Sequence, residues 1–369
     1  MTSTKPCCPA LRPHGLTRRC LRLSLGRWLR TAWLGLAAGL LVLPGADVSA
    51  QEGAVPLTRV IRFSHVVAED TPKGLTVQRF KVLVDLRSKG RIRVDVYPNA
   101  SLYGDRDEME AIQLGAVEML APSLSKFGRV GFPEFEVFGL PFLFDDQAAV
   151  HRVTEGPIGK QLLQGLSRLR LVGLGYLDNG FKQMSAQRPL RDPEDFVGMT
   201  MRVQASRVIA SQMRALGARP VVLPFSETRR ALEQGVVDGT ENPVSNFWTQ
   251  HMNEVQTDLT LTNHGYLGYA VVVNQRFWDQ LAPGERRLVA HALEDALAYG
   301  AQIAQTQNDK ALAALLAAGT TRVHTIGPTQ RARLKAAVQP VYAELALGLG
   351  SPLVERVVQA SQGKTRAKP

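Results

Sequence analysis

Short apolar runs switch repeatedly between a period of two and a helical period along the chain. Arg59-Val60-Ile61-Arg62-Phe63 predicts a first strand, and Ile92, Val94 and Val96 alternate with Arg93 and Asp95 in a second. Between them Thr71 and Pro72 predict a capped helix that closes at Lys89-Gly90. Asp105 opens a further helix to Gly115, and Val117–Ala121 reads as a short buried strand. A helix near 148–168 precedes a strand at Leu171–Tyr176, and another strand is expected over Met199–Val203. A helix at Arg207–Leu216, a strand at Pro220–Leu223 and a helix at Ser226–Gln234 complete the series. The alternation predicts an α/β fold with a largely parallel sheet in each half.

One segment bears on architecture. Pro283 to Ala318 is rich in Ala, Leu, Gln and Glu and is interrupted only by Gly300. It reads either as two helices broken at Gly300 or as one helix of about 50 Å, longer than a small domain is wide. The second reading requires a chain that crosses between two domains more than once.

Charge and cysteine content change the picture at the N-terminus. Residues 1–50 hold seven of the 44 basic residues and one of the 33 acidic ones, so removing them lowers the formal charge from +11 to +5. That mild excess is no nucleic-acid footprint, which needs basic residues clustered on one face. A basic stretch ending at Arg30, an apolar run from Thr31 to Pro44 and small residues at Val48-Ser49-Ala50 predict a cleaved secretory signal over residues 1–50. Arg18-Arg19 has a twin-arginine look, so export by Sec or by Tat fits, and the destination is the periplasm. Cys7, Cys8 and Cys20 all lie in that leader, so the mature chain is expected to lack disulfides and thiolate chemistry. The basic residues 362–369 read as a flexible tail.

Motifs for catalysis do not assemble. Gly363-Lys364-Thr365 has Val358 where a phosphate loop needs its first glycine, and Gly173 and Gly175 lack the third glycine of a dinucleotide fingerprint. Asp238-Gly239-Thr240-Glu241 is too short for a calcium loop. No enzyme activity, metal or cofactor is expected. What remains is a set of cationic, hydroxyl and amide residues at element ends, where α/β folds place ligands. Lys73 stands in the first turn of a helix, where the dipole disfavours a cation, and meets an anion or is simply solvated. Ser123, Ser125 and Lys126 follow a buried strand, and Lys182 follows Asn179-Gly180-Phe181. Arg202 lies between Met201 and Val203, facing solvent or gripping a carboxylate with two parallel hydrogen bonds. Asn242 precedes Pro243 and forms a turn or contributes an amide.

These residues carry a resemblance. Phe63-Ser64-His65-Val66-Val67, Asp70-Thr71-Pro72-Lys73-Gly74, Tyr97-Pro98-Asn99, Leu102-Tyr103-Gly104-Asp105 and residues 121–128 are similar to solute receptors of the tripartite ATP-independent periplasmic (TRAP) transporters, DctP type. So are residues 137–142, Asn179-Gly180-Phe181-Lys182, Met201-Arg202-Val203, Phe225-Ser226-Glu227, residues 237–243 and Asn263-His264-Gly265-Tyr266.

The resemblance implies a two-domain binding protein with a hinged cleft and a long helix spanning both domains. Its boundaries would be 51–178 with 268–307, and 179–267 with 308–361. It implies that Arg202 takes a substrate carboxylate, with Asn242 beside it and Lys182 in place of a second arginine. Phe225 would line the cleft, and Lys73 and Ser123 would face the other carboxylate. The implied ligand is a small organic acid, a four-carbon dicarboxylate such as succinate, malate or fumarate. The implied partners are the small and large membrane subunits of a permease, with the receptor a monomer. Reporting to a sensor kinase, or an enzyme acting on organic acids, are the alternatives. Arg229-Arg230 departs from the family pattern and makes that helix more basic, and the leader is long.

Overall fold

The computed structural model describes residues 59–364; the predicted leader, its cysteines and its twin-arginine pair lie outside the described residues. The first elements follow their sequence signals. β1 (Arg59–Ser64), α1 (Pro72–Ser88) and β2 (Ile92–Tyr97) occur where expected. The Thr71 hydroxyl accepts the Gly74 N–H at 3.1 Å, and Lys89 ends α1 in a left-handed conformation. α2 (Glu108–Leu114) starts three residues later than expected, because Asp105-Arg106-Asp107 forms a turn. β3 is only Met119–Leu120. The single helix expected near 148–168 is divided into α3 (Gln147–Thr154) and α4 (Pro157–Gly165), since Pro157 cannot continue a helix but can begin one.

β4 (Leu171–Ala186) runs ten residues beyond its expected end. β5 (Thr200–Val203), α5 (Arg207–Ala215), β6 (Arg219–Val222) and α6 (Phe225–Glu233) agree with expectation to within a residue or so. β7 (Gly239–Asn242), α7 (Val244–Thr249), β8 (Asp258–Asn274) and α8 (Gln275–Gln280) follow. α9 (Pro283–Ala318), β9 (Arg322–Thr325), α10 (Pro328–Ala337), α11 (Pro340–Leu349) and α12 (Ser351–Ser361) complete the chain. No helix among the described residues is long and apolar enough to cross a membrane.

The fold is α/β, with one continuous sheet in the order β2-β1-β3-β8-β4-β7-β5-β6 and β9 paired to β8. The flanks are parallel, as expected: β1 pairs β2 and β3, and β5 pairs β6 and β7. The centre is not. β4 and β8, the two longest strands, run antiparallel to each other, and the expectation of a largely parallel sheet is corrected there. Their register shifts at Gly173/Gly175, Asp178/Gly180 and Lys182/Met184. β3 joins β8 near its C-terminal end, at Val272 and Val273, while β7 joins β4 near its C-terminal end, over Gln183–Ala186. Because β4 and β8 are antiparallel, the two flanking groups of strands sit at opposite ends of this central pair.

α9 is one helix of 36 residues, unbroken at Gly300. Gly300 is there for close packing: a Cβ at this position would stand 2.4 Å from Thr76 Oγ1 of α1. Buried Val289, Ala292, Leu293, Ala296, Gly300 and Ala304 form the stripe, at the three- and four-residue spacing of one helix face. Farther along, Asn308 fastens α9 to α7 and to the middle of β4. Its Oδ1 accepts the Ser245 N–H at 3.0 Å and its Nδ2 donates to the Asn179 carbonyl at 2.7 Å. The long helix thus packs against elements of both groups.

A titratable contact sits at the second register shift. Asp178 accepts from the Tyr266 hydroxyl and lies 2.8 Å from His151 Nε2. The hydrogen bond to Asp178, with help from Glu155 and against partial burial, raises the His151 pKa above its ordinary value. A raised folded-state pKa gives stabilisation that is fully present below the unfolded value and is lost as pH rises through the folded one. His151→Gln should therefore lower the melting temperature more at about pH 5 than at about pH 9, on either side of the ordinary imidazole value. An equal loss at both pH values would show that the imidazolium contributes nothing.

Candidate functional site

Arg202 anchors the site. Its neighbours Met201 and Val203 are buried, and its register with Thr240 of β7 places it on the sheet face that Thr240 and Asn242 share. The side chain is 2% exposed, which excludes the solvent-facing alternative. Nε donates to the Leu223 carbonyl at 3.0 Å, but Nη1 is buried with no partner among the described residues. Burial lowers the guanidinium pKa, with Asp105 and Glu241 acting in the opposite sense. A buried donor left unpaired is costly, so this group is poised for an acceptor that the described residues do not supply. Arg202 borders a cavity of about 160 Å3 shared with Asp105, Lys126, Gln204, Leu223 and Pro224, and with the exposed Arg106 and Arg129.

Two expected residues lie close to Arg202 without lining this cavity. Phe225, the first residue of α6, has its ring centroid 5.8 Å from the Arg202 guanidinium carbon. Its N–H donates to Asp105 Oδ2 at 2.5 Å. Asn242 lies along the same sheet face, its amide nitrogen 3.3 Å from Thr240 Oγ1 and 3.7 Å from Met252 Sδ. It does not border the cavity. Burial alone would raise the Asp105 carboxyl, but Lys126, the Phe225 N–H and Arg202 pull it down to about 2. Lys126 is buried in contact with both Asp105 and Glu108, so its charge is already matched.

Lys182 and Ser123 occupy a separate compartment. Lys182 Nζ donates to Glu241 Oε1 at 2.6 Å, and Glu241 Oε2 lies 2.8 Å from His264 Nε2, all three buried. Burial would raise Glu241, yet Lys182 and His264 hold it at about 2. Lys182, Ser123, Ser125, Gln204, Tyr266 and Gly268 are among the residues around a space of about 10 Å3, roughly the size that admits a single water. Gln204 lines both this space and the Arg202 cavity. Its Nε2 donates to Ser123 Oγ at 3.3 Å and its Oε1 accepts from Ser125 Oγ at 3.4 Å.

Lys73 is 1% exposed, which removes the solvated alternative. Its ammonium donates to the Ala121 carbonyl at 3.1 Å and stands 3.8 Å from the Tyr269 ring centroid. Burial, with Lys126 adding to it, brings its pKa to about 7 against the pull of Glu108. Lys73 borders neither compartment. Beside it His65 has both ring nitrogens buried without partners, and burial and the Lys73 charge hold its pKa at about 3. The Tyr269 hydroxyl is likewise buried without a partner.

The structure thus brings Arg202 and Phe225 together with Asn242 alongside, sets Ser123 and Lys182 behind Gln204, and buries Lys73 elsewhere. Sequence reasoning missed Asp105, read as a helix opener, and Gln204, whose only signal is its place two residues after Arg202. Among the described residues no cluster of three or more His, Cys, Asp or Glu is placed to hold a metal ion.

Comparison with known proteins gives a family. Residues 63–348 match the family described as bacterial extracellular solute-binding protein, family 7. The chain is 50% identical over 302 residues to the C4-dicarboxylate-binding periplasmic protein DctP of Rhodobacter capsulatus, covering 82% of this chain and 91% of that protein. A TRAP periplasmic solute-binding protein from Shewanella oneidensis with bound succinate superposes with a TM-score of 0.80 at 41% identity, covering 82% of this chain and 99% of that one. One from Pseudomonas aeruginosa with bound L-malate gives 0.76 at 38% identity, covering 78% and 99%. The chain belongs to solute-binding protein family 7.

Proposed function

We propose that this family member is a periplasmic receptor that captures a four-carbon dicarboxylate and delivers it to a TRAP-type permease of one small and one large membrane subunit. The observation that carries the reading is the buried, half-partnered guanidinium of Arg202 beside a cavity large enough for a small acid. A carboxylate there would accept from Nη1 in a site that Asp105 and Lys126 leave near neutral. Relatives support the choice of ligand: the two structures above hold succinate and L-malate. The receptor acts without chemistry, as a monomer, after export and removal of residues 1–50.

Two lobes, 51–178 with 268–307 and 179–267 with 308–361, would close on the ligand. The register shift between Asp178 and Gly180 supports a hinge there, as does the Gly180 φ of 148°. Arg202, Asn242 and Phe225 would hold one carboxylate end. Lys73, Ser123 and Lys182 would bear on the other once the lobes move. Micromolar affinity corresponds to about −8 kcal/mol, within reach of two charge-assisted contacts after ordering costs.

Titration calorimetry of the exported protein with succinate, malate, fumarate and butyrate tests this. Succinate, malate or fumarate should bind, and butyrate should bind more weakly than succinate. Lys73→Ala should weaken succinate more than butyrate, because it is assigned to the second acid group. Equal losses would remove that assignment, and no binding of any four-carbon diacid would overturn the reading.

A further inference from the structure

We propose that Gln204 is the length gauge of the site: its side chain is the wall that admits a four-carbon diacid and rejects longer ones. The inference rests on the dicarboxylate reading above. Gln204 is half-buried, follows the last residue of β5 and borders both compartments. On one side lies the cavity of about 160 Å3 with Arg202; on the other is the space of about 10 Å3 with Ser123 and Lys182. Its amide joins the end of β5 to Ser123 and Ser125 of the loop after β3, through bonds of 3.3 and 3.4 Å at the long end of the normal range.

The far compartment has the lining that extra methylenes would use. Beyond its hydroxyls and the Lys182–Glu241 pair it presents Phe138, Ile209 and Leu267. Removing the Gln204 side chain past Cβ would merge the two spaces and lengthen the path available from Arg202. Excluding a methylene by shape alone discriminates by about 10–200-fold, so the ratio of succinate to glutarate affinity is the quantity the wall controls.

The test is calorimetric titration of wild type, Gln204→Ala and Gln204→Leu with succinate and glutarate. Wild type should prefer succinate. Gln204→Ala should reduce that preference about tenfold or more. Gln204→Leu, which keeps the bulk and loses both hydrogen bonds, should retain most of it. An unchanged succinate-to-glutarate ratio in Gln204→Ala, with succinate still bound, overturns the gauge and leaves the dicarboxylate reading standing. Equal loss of preference in both variants also overturns it, since bulk would then not be the discriminating property. Wild type binding neither diacid overturns the reading beneath it and the gauge with it.

Discussion

Arg202→Ala is expected to weaken succinate binding by about 2–5 kcal/mol, the range for truncating one partner of a buried hydrogen-bonded charge pair. The Nη1 group has no partner among the described residues, so a ligand carboxylate is the acceptor its burial calls for. Without it the carboxylate would enter a desolvated cavity where Lys126 is already taken by Asp105 and Glu108. Arg202→Lys should recover only part of the loss, because an ammonium keeps the charge but not the planar fork. Folding should change little. The substitution removes one bond, to the Leu223 carbonyl, worth about 0.5–1.5 kcal/mol, and it also removes a cation that burial disfavours. Titration of both variants alongside a thermal melt decides the matter. Near-wild-type affinity in Arg202→Ala would contradict the anchor.

Lys182→Met is expected to act on stability first, by about 3–5 kcal/mol. That is a large share of the roughly 5–15 kcal/mol that holds a typical domain folded. The cause is Glu241, which is 2% exposed and balanced by Lys182 and His264. Burial pushes the Glu241 carboxyl up and its two partners hold it down near 2. A depressed carboxyl contributes stability above its unfolded pKa and loses it as pH falls through the folded one. In Lys182→Met that contribution should shrink, so the loss is greatest near neutral pH. Adding Glu241→Gln should restore part of the stability, since no buried charge is then left unpaired. Denaturant unfolding of the single and double variants is the measurement. A single variant as stable as wild type would show that the Glu241 charge does not depend on Lys182 for its balance.

Local signals in the chain announce some of this and hide the rest. Thr71-Pro72 and Lys89-Gly90 bound α1 because capping chemistry is local, and the apolar flanks of Arg202 reveal a strand before any partner strand is known. β8 is different. Asp258–Asn274 mixes polar and glycine residues through its first half and becomes a strand through pairing with β4, about ninety residues away. The extension of β4 past Tyr176 fails in the same way, since Asp178-Asn179-Gly180 reads as a turn in isolation. The site shows the same division. That Arg202 lies in a short strand is legible from its neighbours, but that its side chain is buried is not. That Lys182 is neutralised by Glu241, 59 residues later, and that Gln204 reaches Ser123, 81 residues earlier, depend on the tertiary fold. Gly300 ends no helix for a related reason: its role is set by Thr76 on another element.

The most direct test is a crystal structure of the exported protein grown with succinate. The account predicts one carboxylate of the ligand in the Arg202 cavity, accepting from Nη1 at about 2.7–2.9 Å, with its carbon chain ending at the Gln204 side chain. Succinate bound elsewhere, with Arg202 Nη1 still unpartnered, would contradict it.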